Sequence, residues 1–348
     1  MAPEFFAKFF DLARRIFHLP LIYNLTRIPE NTITTYRNSV LVYNPRAGKL
    51  GRNGGSIVRR AVEILKNHGH NVTVAPTTGP GTAGAIVRHH IASGADLVVT
   101  AGGDGTINEA IEGMVHSHVP LAILPGGTAN VLAMELKIGR NIERVAHRMG
   151  DWRPRRISVG HLTCDGGRVT RHFLLMAGIG FDAYIVRHVN PGLKARTGKF
   201  AFWVAGWSLL GHDLAEFCVD AAGHQHRCSF ALLSKVRNYG GDFEIARSVT
   251  LPDDQFEAVL MEGRSSLRYV KYFAGMALNR LGEMKGVTVL RTDRVVISSP
   301  NSGEAYVQVD GEFAGTLPAE VRVVPDALTL LMPEDYACGA GCEPAADC

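Results

Sequence analysis

A glycine turn between a buried strand and a helix is encoded in the stretch Leu97-Val98-Val99-Thr100-Ala101-Gly102-Gly103-Asp104-Gly105-Thr106. The pattern returns about twenty residues later, where the apolar run 121–124 leads into Pro125-Gly126-Gly127-Thr128-Ala129-Asn130. Glycine lets the backbone approach a ligand closely, and the N-terminus of the following helix favours negative charge. Two such turns, one of which carries a carboxylate, predict a nucleotide phosphate site with metal-assisted chemistry.

Two more strand–loop–helix patterns lie upstream. The apolar residues 40–43 lead into Asn44-Pro45-Arg46-Ala47-Gly48-Lys49, and residues 72–74 lead into Thr77-Thr78-Gly79-Pro80-Gly81-Thr82. Apolar residues then recur at helical spacing after each loop. Four such patterns in succession are typical of a mostly parallel α/β sheet, on which ligands bind outside the carboxyl ends of the strands.

The second half of the chain changes character after a connector at residues 151–156. Short strand-like runs dominate it, at residues 173–176, 230–233, 258–261, 295–298, 306–309, 321–324 and 328–332. Two helical patterns interrupt them, near residues 200–210 and 267–281. Many short strands separated by turn residues favour an antiparallel sandwich. The predicted fold class is therefore an α/β N-terminal nucleotide-binding domain plus a β-rich C-terminal domain, an antiparallel sandwich.

Composition narrows the class of protein. Of 348 residues, 46% are hydrophobic and the formal net charge is +4, which excludes a disordered chain and does not favour nucleic acid as a partner. No apolar run reaches the roughly 18 residues of a membrane span, and we see no secretory signal. Scattered cysteines indicate a reducing compartment, so we expect a cytoplasmic protein. The tail cysteines Cys338, Cys342 and Cys348 are expected to be solvated.

The N-terminal segment has the pattern of an amphipathic helix. Phe5, Phe9 and Phe17 fall on one helical face, and Arg14 and Arg15 fall elsewhere. Such a helix can lie in a membrane interface, which predicts peripheral membrane contact. The alternative is that it packs on the protein's own surface or on a partner.

Taken in order, these motifs resemble the catalytic domain of diacylglycerol kinases and related lipid kinases, including sphingosine and ceramide kinases. The downstream half continues the resemblance, most closely to the soluble bacterial members. It contributes Gly178-Ile179-Gly180-Phe181-Asp182, Tyr239-Gly240-Gly241, Leu251-Pro252-Asp253-Asp254 and Gln308-Val309-Asp310-Gly311-Glu312. The resemblance covers about residues 39–333. It predicts an N-terminal helix and linker (1–37), an ATP-binding domain (38–152), a lipid-acceptor domain (153–333) and a tail (334–348), with the C-terminal segment returning to the first domain.

The resemblance implies ATP and Mg²⁺ as cofactors. Backbone N–H groups of Gly103, Gly105 and Thr106 are suited to cradle phosphates. The residues that match ATP-binding positions of the family are Asn44, Pro45, Arg46, Ala47, Gly48, Thr78, Gly103, Asp104, Gly105, Thr106, Ile107, Asn108, Glu109 and Thr128.

The resemblance also implies roles for three carboxylates. Asp310 is expected to accept the proton of the acceptor hydroxyl as general base. Glu312 would support Asp310 or hold Mg²⁺, and Asp104 would act on Mg²⁺ through water. In the sphingosine-kinase branch the aspartate matching Asp104 is the favoured base, so both assignments stay open. A solvated turn is the alternative for Asp310 taken alone.

A second, structural Mg²⁺ is implied by the loop after residue 250. The matching ligands are the carbonyls of Leu251 and Phe256 and the side chain of Asp254. The loop departs from the family pattern, because Gln255 stands where a glycine is usual and Glu257 where an aspartate is usual. A plain solvated loop is the alternative.

The expected function is ATP-dependent transfer of a γ-phosphoryl group to a lipid hydroxyl, within phospholipid metabolism. The acceptor stays open among diacylglycerol, a sphingoid base, ceramide and a phosphatidyl headgroup, since each presents a hydroxyl beside apolar chains. The expected partners are the lipid at a membrane surface and, as an open alternative, a second copy of the chain. Two competing functions are a small-molecule kinase similar to NAD kinase, which shares the Gly-Gly-Asp-Gly-Thr run, and a non-catalytic nucleotide- or lipid-binding protein.

Overall fold

The computed structural model describes residues 36–51, 54–188, 214–239, 243–299 and 305–337. Four predictions lie outside these residues: the N-terminal amphipathic helix, the helix near residues 200–210, the Gly240-Gly241 pair and the tail cysteines. Within the described ranges, no helix is long and apolar enough to cross a bilayer.

Strands and helices alternate through the N-terminal half, as predicted. In chain order the elements are β1 (Ser39–Tyr43), a 3₁₀ turn (Gly48–Leu50), α1 (Gly54–Asn67), β2 (Val72–Pro76), α2 (Ala83–Ala92), β3 (Leu97–Gly102), α3 (Asp104–Ile111), β4 (Leu121–Pro125), α4 (Val131–Glu135), α5 (Ile142–Arg148) and a 3₁₀ turn (Met149–Asp151). The strands lie parallel in the order β2-β1-β3-β4. Residues 97–102 and 121–125 are buried throughout, because helices cover the central strands of a parallel sheet on both faces.

The C-terminal half is rich in strands. Its elements are β5 (Arg153–Cys164), a 3₁₀ turn (Asp165–Gly167), β6 (Val169–Phe173), β7 (Met176–Gly180), α6 (Phe181–His188), β8 (Phe217–Ala221), β9 (His224–Cys228), β10 (Phe230–Ser234), β11 (Asn238–Tyr239), β12 (Phe243–Glu244), β13 (Phe256–Met261), α7 (Leu267–Ala277), a 3₁₀ turn (Leu281–Glu283), β14 (Val287–Thr292), β15 (Arg294–Ser298), β16 (Tyr306–Val309), β17 (Glu312–Thr316), β18 (Ala319–Met332) and α8 (Glu334–Ala337). Strands β14-β13-β10-β7-β16-β17 form a six-stranded antiparallel sheet. The predicted fold class, α/β followed by a β-rich antiparallel unit, is confirmed.

The long strand β18 connects the two halves. It runs antiparallel to β5 and β15 and meets β4 in parallel, with Leu330 opposite Leu121. The parallel strands therefore continue into a ten-stranded mixed sheet that also contains β5, β6, β8 and β9. The C-terminal segment thus packs against the α/β half.

Several strand predictions were wrong in detail. Residues 174 and 175 do not continue a strand but form the bend between β6 and β7. The two runs at residues 321–324 and 328–332 belong to one strand, β18, with a register irregularity between Val324 and Leu328. The presumed connector at residues 151–156 already contains the start of β5.

Candidate active site

Three strand-to-helix loops meet at the carboxyl ends of β1, β3 and β4. Gly126 and Gly127 donate their backbone N–H groups to the carbonyl of Gly102 over 2.8 and 3.0 Å. The Lys49 N–H donates to Gly126 O at 3.0 Å, and the Asn44 N–H donates to Ala101 O at 3.0 Å. The predicted convergence of the glycine loops is therefore present.

Glycine is required in these loops because neighbouring atoms leave no room for a Cβ. A left-handed backbone conformation is not the reason. Gly103 has φ −93°, a value open to any residue. A Cβ built on Gly127 would overlap Cα of Gly103, and one on Gly48 would lie 3.0 Å from Thr128 Oγ1. A Cβ on Gly105 would lie 2.7 Å from Oε1 of Glu312. Substitution at these sites would therefore push the loops or the Glu312 carboxylate apart.

The first loop is tied to the N-terminal turn of α3. Asn44 Oδ1 accepts the Arg46 N–H at 2.9 Å, and its Nδ2 donates to Thr106 Oγ1 at 3.4 Å. The neighbouring Ala47 is buried, whereas Pro45 is half-buried and Arg46 is exposed. The side chain of Arg46 is thus open to solvent beside the glycine loops.

Other predicted nucleotide residues lie at the edges of this region. Thr78 is exposed after the edge strand β2. Glu109 accepts the Gly81 N–H at 2.8 Å and the Ala83 N–H at 3.2 Å, so its carboxylate holds the loop before α2. Ile107 is buried on the inner face of α3. In this structure Glu109 and Ile107 therefore contact protein.

Two basic residues flank the loop at residues 125–130. Arg140 Nη2 donates to the carbonyl of Thr128 at 3.1 Å, and Lys49 Nζ donates to the carbonyl of Arg140 at 2.6 Å. Burial lowers the pKa of Lys49, and the nearby positive charge of Arg140 lowers it further. Two cations held close together beside glycine turns favour an anionic ligand.

Asp104 lies in the first turn of α3 and faces the start of α4. Its Oδ1 accepts the Leu132 N–H at 3.3 Å. Burial raises the pKa of Asp104, and backbone N–H groups at residues 130–132 act in the opposite direction. A carboxylate at a helix N-terminus stabilises that helix, so Asp104 orders the loop between β4 and α4.

Asp310 is enclosed by hydrogen-bond donors. Oδ1 accepts the N–H groups of Leu175 and Met176 at 3.0 and 2.9 Å, and Oδ2 accepts the N–H of Leu174 at 3.1 Å and Asn108 Nδ2 at 2.7 Å. Burial raises the pKa of Asp310 to about 6, although these donors oppose the shift. This explains the bend at residues 174 and 175, whose N–H groups face the carboxylate instead of a strand.

Asn108, Arg171 and Glu312 extend this network toward the glycine loops. Asn108 is 1% exposed, and its Oδ1 accepts Arg171 Nη2 at 3.3 Å. The same Nη2 forms an ion pair with Glu312 Oε2 at 3.0 Å. Because Arg171 donates to the amide oxygen, the amide nitrogen of Asn108 must face Asp310. Sequence reasoning missed Arg171, since no motif surrounds it.

The remaining downstream motifs support the turn that carries Asp310. Gln308 Nε2 donates to the buried carboxyl of Asp182 at 2.6 Å, and the hydroxyl of Tyr239 donates to the same carboxyl. Gln308 Oε1 accepts the Gly311 N–H at 2.8 Å. Through Gln308, the Asp182 carboxyl and the Tyr239 hydroxyl therefore help to fix the turn at Gly311, next to Asp310.

The loop predicted to hold a second Mg²⁺ lies apart from this network. Leu251 and Phe256 are buried, and Asp254 is exposed. The ammonium of Lys235 donates to the carbonyl of Asp253 in the middle of the loop. Burial lowers the pKa of Lys235 to about 8, against the attraction of Asp254 and Asp253. Among the described residues, no group of three or more His, Cys, Asp or Glu side chains is arranged to hold a metal.

Comparison with known families accounts for both halves of the site. The diacylglycerol kinase catalytic domain matches residues 38–162, which include the glycine loops and Asn108. The YegS C-terminal NAD kinase beta sandwich-like domain matches residues 176–332, which include Asp310 and Glu312. The chain belongs to the diacylglycerol kinase-like family of lipid kinases and is a kinase-like enzyme.

Individual relatives agree with this assignment. A diacylglycerol kinase of Mycobacterium tuberculosis is 26% identical over 278 residues, 78% of this chain and 88% of the relative. One from Bacillus subtilis is 25% identical over 317 residues, 85% of this chain and 97% of the relative. A crystal structure of a diacylglycerol kinase from Bacillus anthracis strain Sterne matches with a TM-score of 0.68 and 20% identity, over 86% of this chain and 98% of that one. The last similarity shows the shared fold.

Proposed function

We propose that the protein is an ATP-dependent kinase that transfers the γ-phosphoryl group to the hydroxyl of a lipid such as diacylglycerol or a sphingoid base. One observation carries the proposal. Asn108 lies on α3, which follows the glycine turn at residues 102–105. Its amide donates at 2.7 Å to the carboxylate of Asp310, which belongs to the β-rich half. The helix that begins at the glycine turn of residues 102–105 therefore also contacts the half-buried Asp310. Phosphoryl transfer needs chiefly positioning and charge neutralisation, which this arrangement suits.

The phosphates of ATP would bind at the N-terminus of α3. There the N–H groups of Gly103 and Gly105 and the helix dipole favour negative charge, whereas the Thr106 N–H already donates to the Gly103 carbonyl at 3.0 Å. Lys49 and Arg140 add positive charge beside the third loop. The half-buried carboxylate of Glu312, close to Gly105, fits a Mg²⁺ that is bound mainly by phosphates. Such an ion would neutralise charge on the β- and γ-phosphates.

Asp310 is the proposed general base. Burial raises its pKa to about 6, so it is ionised at neutral pH while remaining basic enough to accept a proton. Both oxygens already accept two donors, so the lipid hydroxyl must replace one of them. Of these four donors Asn108 alone contributes a side chain, and the other three are backbone N–H groups, so its amide is the group that the lipid hydroxyl would replace. Asp104, the alternative base, accepts the Leu132 N–H at the start of α4.

Access to the lipid is proposed to involve the N-terminal segment. Its aromatic residues and arginines suit a membrane interface, and a kinase with a lipid acceptor must reach a bilayer. On this proposal the protein is cytoplasmic and binds the membrane peripherally.

An acceptor panel tests the proposed function. The protein is incubated with Mg²⁺, γ-labelled ATP and detergent-dispersed diacylglycerol, sphingosine or ceramide, and in parallel with NAD. We expect label in an organic-extractable lipid. Label in NAD alone would replace the proposal with a NAD kinase-like activity. ATP binding without transfer to any acceptor would favour the non-catalytic alternative.

A further inference from the structure

Lys235 is a buried cation outside the proposed active site. It follows β10 directly, and its side chain is 0% exposed. Its backbone N–H donates to the carbonyl of Leu175 at 2.8 Å, and this bond fixes the position of the backbone from which the side chain extends. A buried ammonium is unfavourable unless its N–H groups find acceptors and a negative charge lies near.

The ammonium of Lys235 joins three segments of the chain. It donates to Ser158 Oγ at 2.5 Å, on β5, and to the carbonyl of Asp253. Ser158 Oγ itself bonds the same carbonyl at 2.9 Å. The negative charges of Asp254 and Asp253 attract the ammonium. Lys235 therefore holds the loop at residues 250–255 against the sheet that contains β5.

The residues that depart from the family pattern make protein contacts of their own. Gln255 Oε1 accepts Arg291 Nε at 3.1 Å, and Glu257 Oε2 accepts the Ser248 N–H at 2.6 Å. The carboxylate of Asp253 accepts the Thr250 N–H at 2.6 Å and pairs with Arg291 Nη2 at 3.1 Å. The carboxylates of Asp253 and Glu257 thus already accept hydrogen bonds from the chain itself.

We propose that the Lys235 ammonium takes the place of a structural divalent cation, so that the loop at residues 250–255 is held without metal. Mg²⁺ requires six oxygen ligands in near-octahedral arrangement. The ammonium of Lys235, which contacts the loop at the Asp253 carbonyl, would also repel a Mg²⁺ ion bound nearby. The ammonium at the Asp253 carbonyl therefore supplies, from the chain itself, the positive charge that the implied metal would bring to the loop. This inference concerns the fold of the loop and stands whether or not the proposed kinase activity is correct.

Thermal unfolding of the full chain without nucleotide tests the inference. Wild-type protein should have the same Tm, within about 1 °C, in EDTA and in excess Mg²⁺, since no bound ion contributes to stability. Lys235→Met keeps the length of the side chain but removes the charge and both hydrogen bonds. Its Tm should fall by several degrees in both solutions. A Lys235→Met protein as stable as wild type would overturn the proposal.

Direct metal binding supplies a second readout if Lys235→Met fails to fold. Mn²⁺ is titrated into nucleotide-free wild type and Asp254→Asn and followed by electron paramagnetic resonance. The proposal predicts the same binding curve for both proteins. A site present in wild type and lost in Asp254→Asn would overturn it. Ser158→Ala, which removes one contact of the ammonium, should lower Tm less than Lys235→Met and leave the Mn²⁺ curve unchanged.

Discussion

Replacing Asp310 by asparagine removes one charge from the proposed active site and keeps the shape of the side chain. The carboxylate of Asp310 accepts four donors, two at each oxygen. Asparagine offers one oxygen, so two donors will face its amide nitrogen. If Asp310 accepts the proton of the lipid hydroxyl, the variant should transfer phosphate about 10²–10⁴ times more slowly.

Two opposing contributions decide whether the Asp310→Asn variant stays folded. Each buried donor that loses its acceptor costs about 1–3 kcal/mol. Burial raises the pKa of Asp310 from 3.8 to about 6. At about 1.4 kcal/mol for each pKa unit, removing the charge returns at most about 3 kcal/mol at neutral pH, and less to the extent that Asp310 still contacts solvent. Two such donors cost about 2–6 kcal/mol, which exceeds the return by a few kcal/mol at most. This net loss is smaller than the about 5–15 kcal/mol by which a typical protein is stable, so we expect a folded variant with retained ATP binding.

The pH dependence of stability separates the two contributions. Folded Asp310 binds its proton with a higher pKa than the unfolded chain, so the folded wild type gains stability as pH falls from about 6 to about 4. The asparagine variant has no such gain, while all other groups are shared. The free energy of unfolding, measured with urea at both ends of this range, should rise for wild type relative to the variant as pH falls. An unchanged difference would refute the raised pKa, and wild-type turnover in the variant would remove Asp310 from the mechanism.

Four further predictions follow from the site. Gly127→Ala places Cβ against Cα of Gly103 and should abolish nucleotide binding in an equilibrium titration. The kcat/KM of wild type should fall as pH drops below about 6, because Asp310 then becomes protonated. Arg171→Met releases the amide of Asn108 and should lower kcat more than it weakens ATP binding, as measured by steady-state kinetics. Deletion of residues 1–28 should reduce liposome binding and activity on bilayer substrate, but not on a short-chain soluble analogue, and salt should weaken the binding of the full chain.

Each of these predictions has a control or a contradicting outcome. Gly55→Ala meets nothing within 4 Å and should bind nucleotide as wild type does. Undiminished nucleotide binding by Gly127→Ala would contradict the loop packing. A kcat/KM that stays constant below pH about 6 would contradict Asp310 as general base. For Arg171→Met, equal losses in kcat and ATP affinity would indicate a general structural role. Liposome binding that survives deletion of residues 1–28 would show that another surface contacts the membrane.

The glycine loops were predictable because each is a continuous stretch of sequence. The loops at residues 44–49, 102–106 and 125–130 follow apolar runs, and parallel strands bring their carboxyl ends to one edge. Their meeting point therefore follows from local patterns. Asp310 and Glu312 were found through the motif around them rather than through any periodicity.

The supporting residues could not be predicted because their partners are distant in sequence. Arg171 lies 63 residues from Asn108 and 141 from Glu312. Leu174 and Leu175 are apolar, so their pattern predicts a strand, whereas their N–H groups bind Asp310. Lys235 is a single basic residue, and only the fold brings it to Asp253, 18 positions away. Hydrophobic patterns report burial but not the direction of backbone N–H groups.

Transfer of label from ATP to lipid tests the central claim most directly. Wild type and Asp310→Asn are each incubated with diacylglycerol-containing vesicles and ATP labelled in either the α or the γ position, and the lipids are separated by chromatography. We predict a labelled phospholipid only from the γ label, formed by Asp310→Asn about 10²–10⁴ times more slowly than by wild type. Equal label in lipid from Asp310→Asn, or none from wild type with any lipid hydroxyl, would contradict the account.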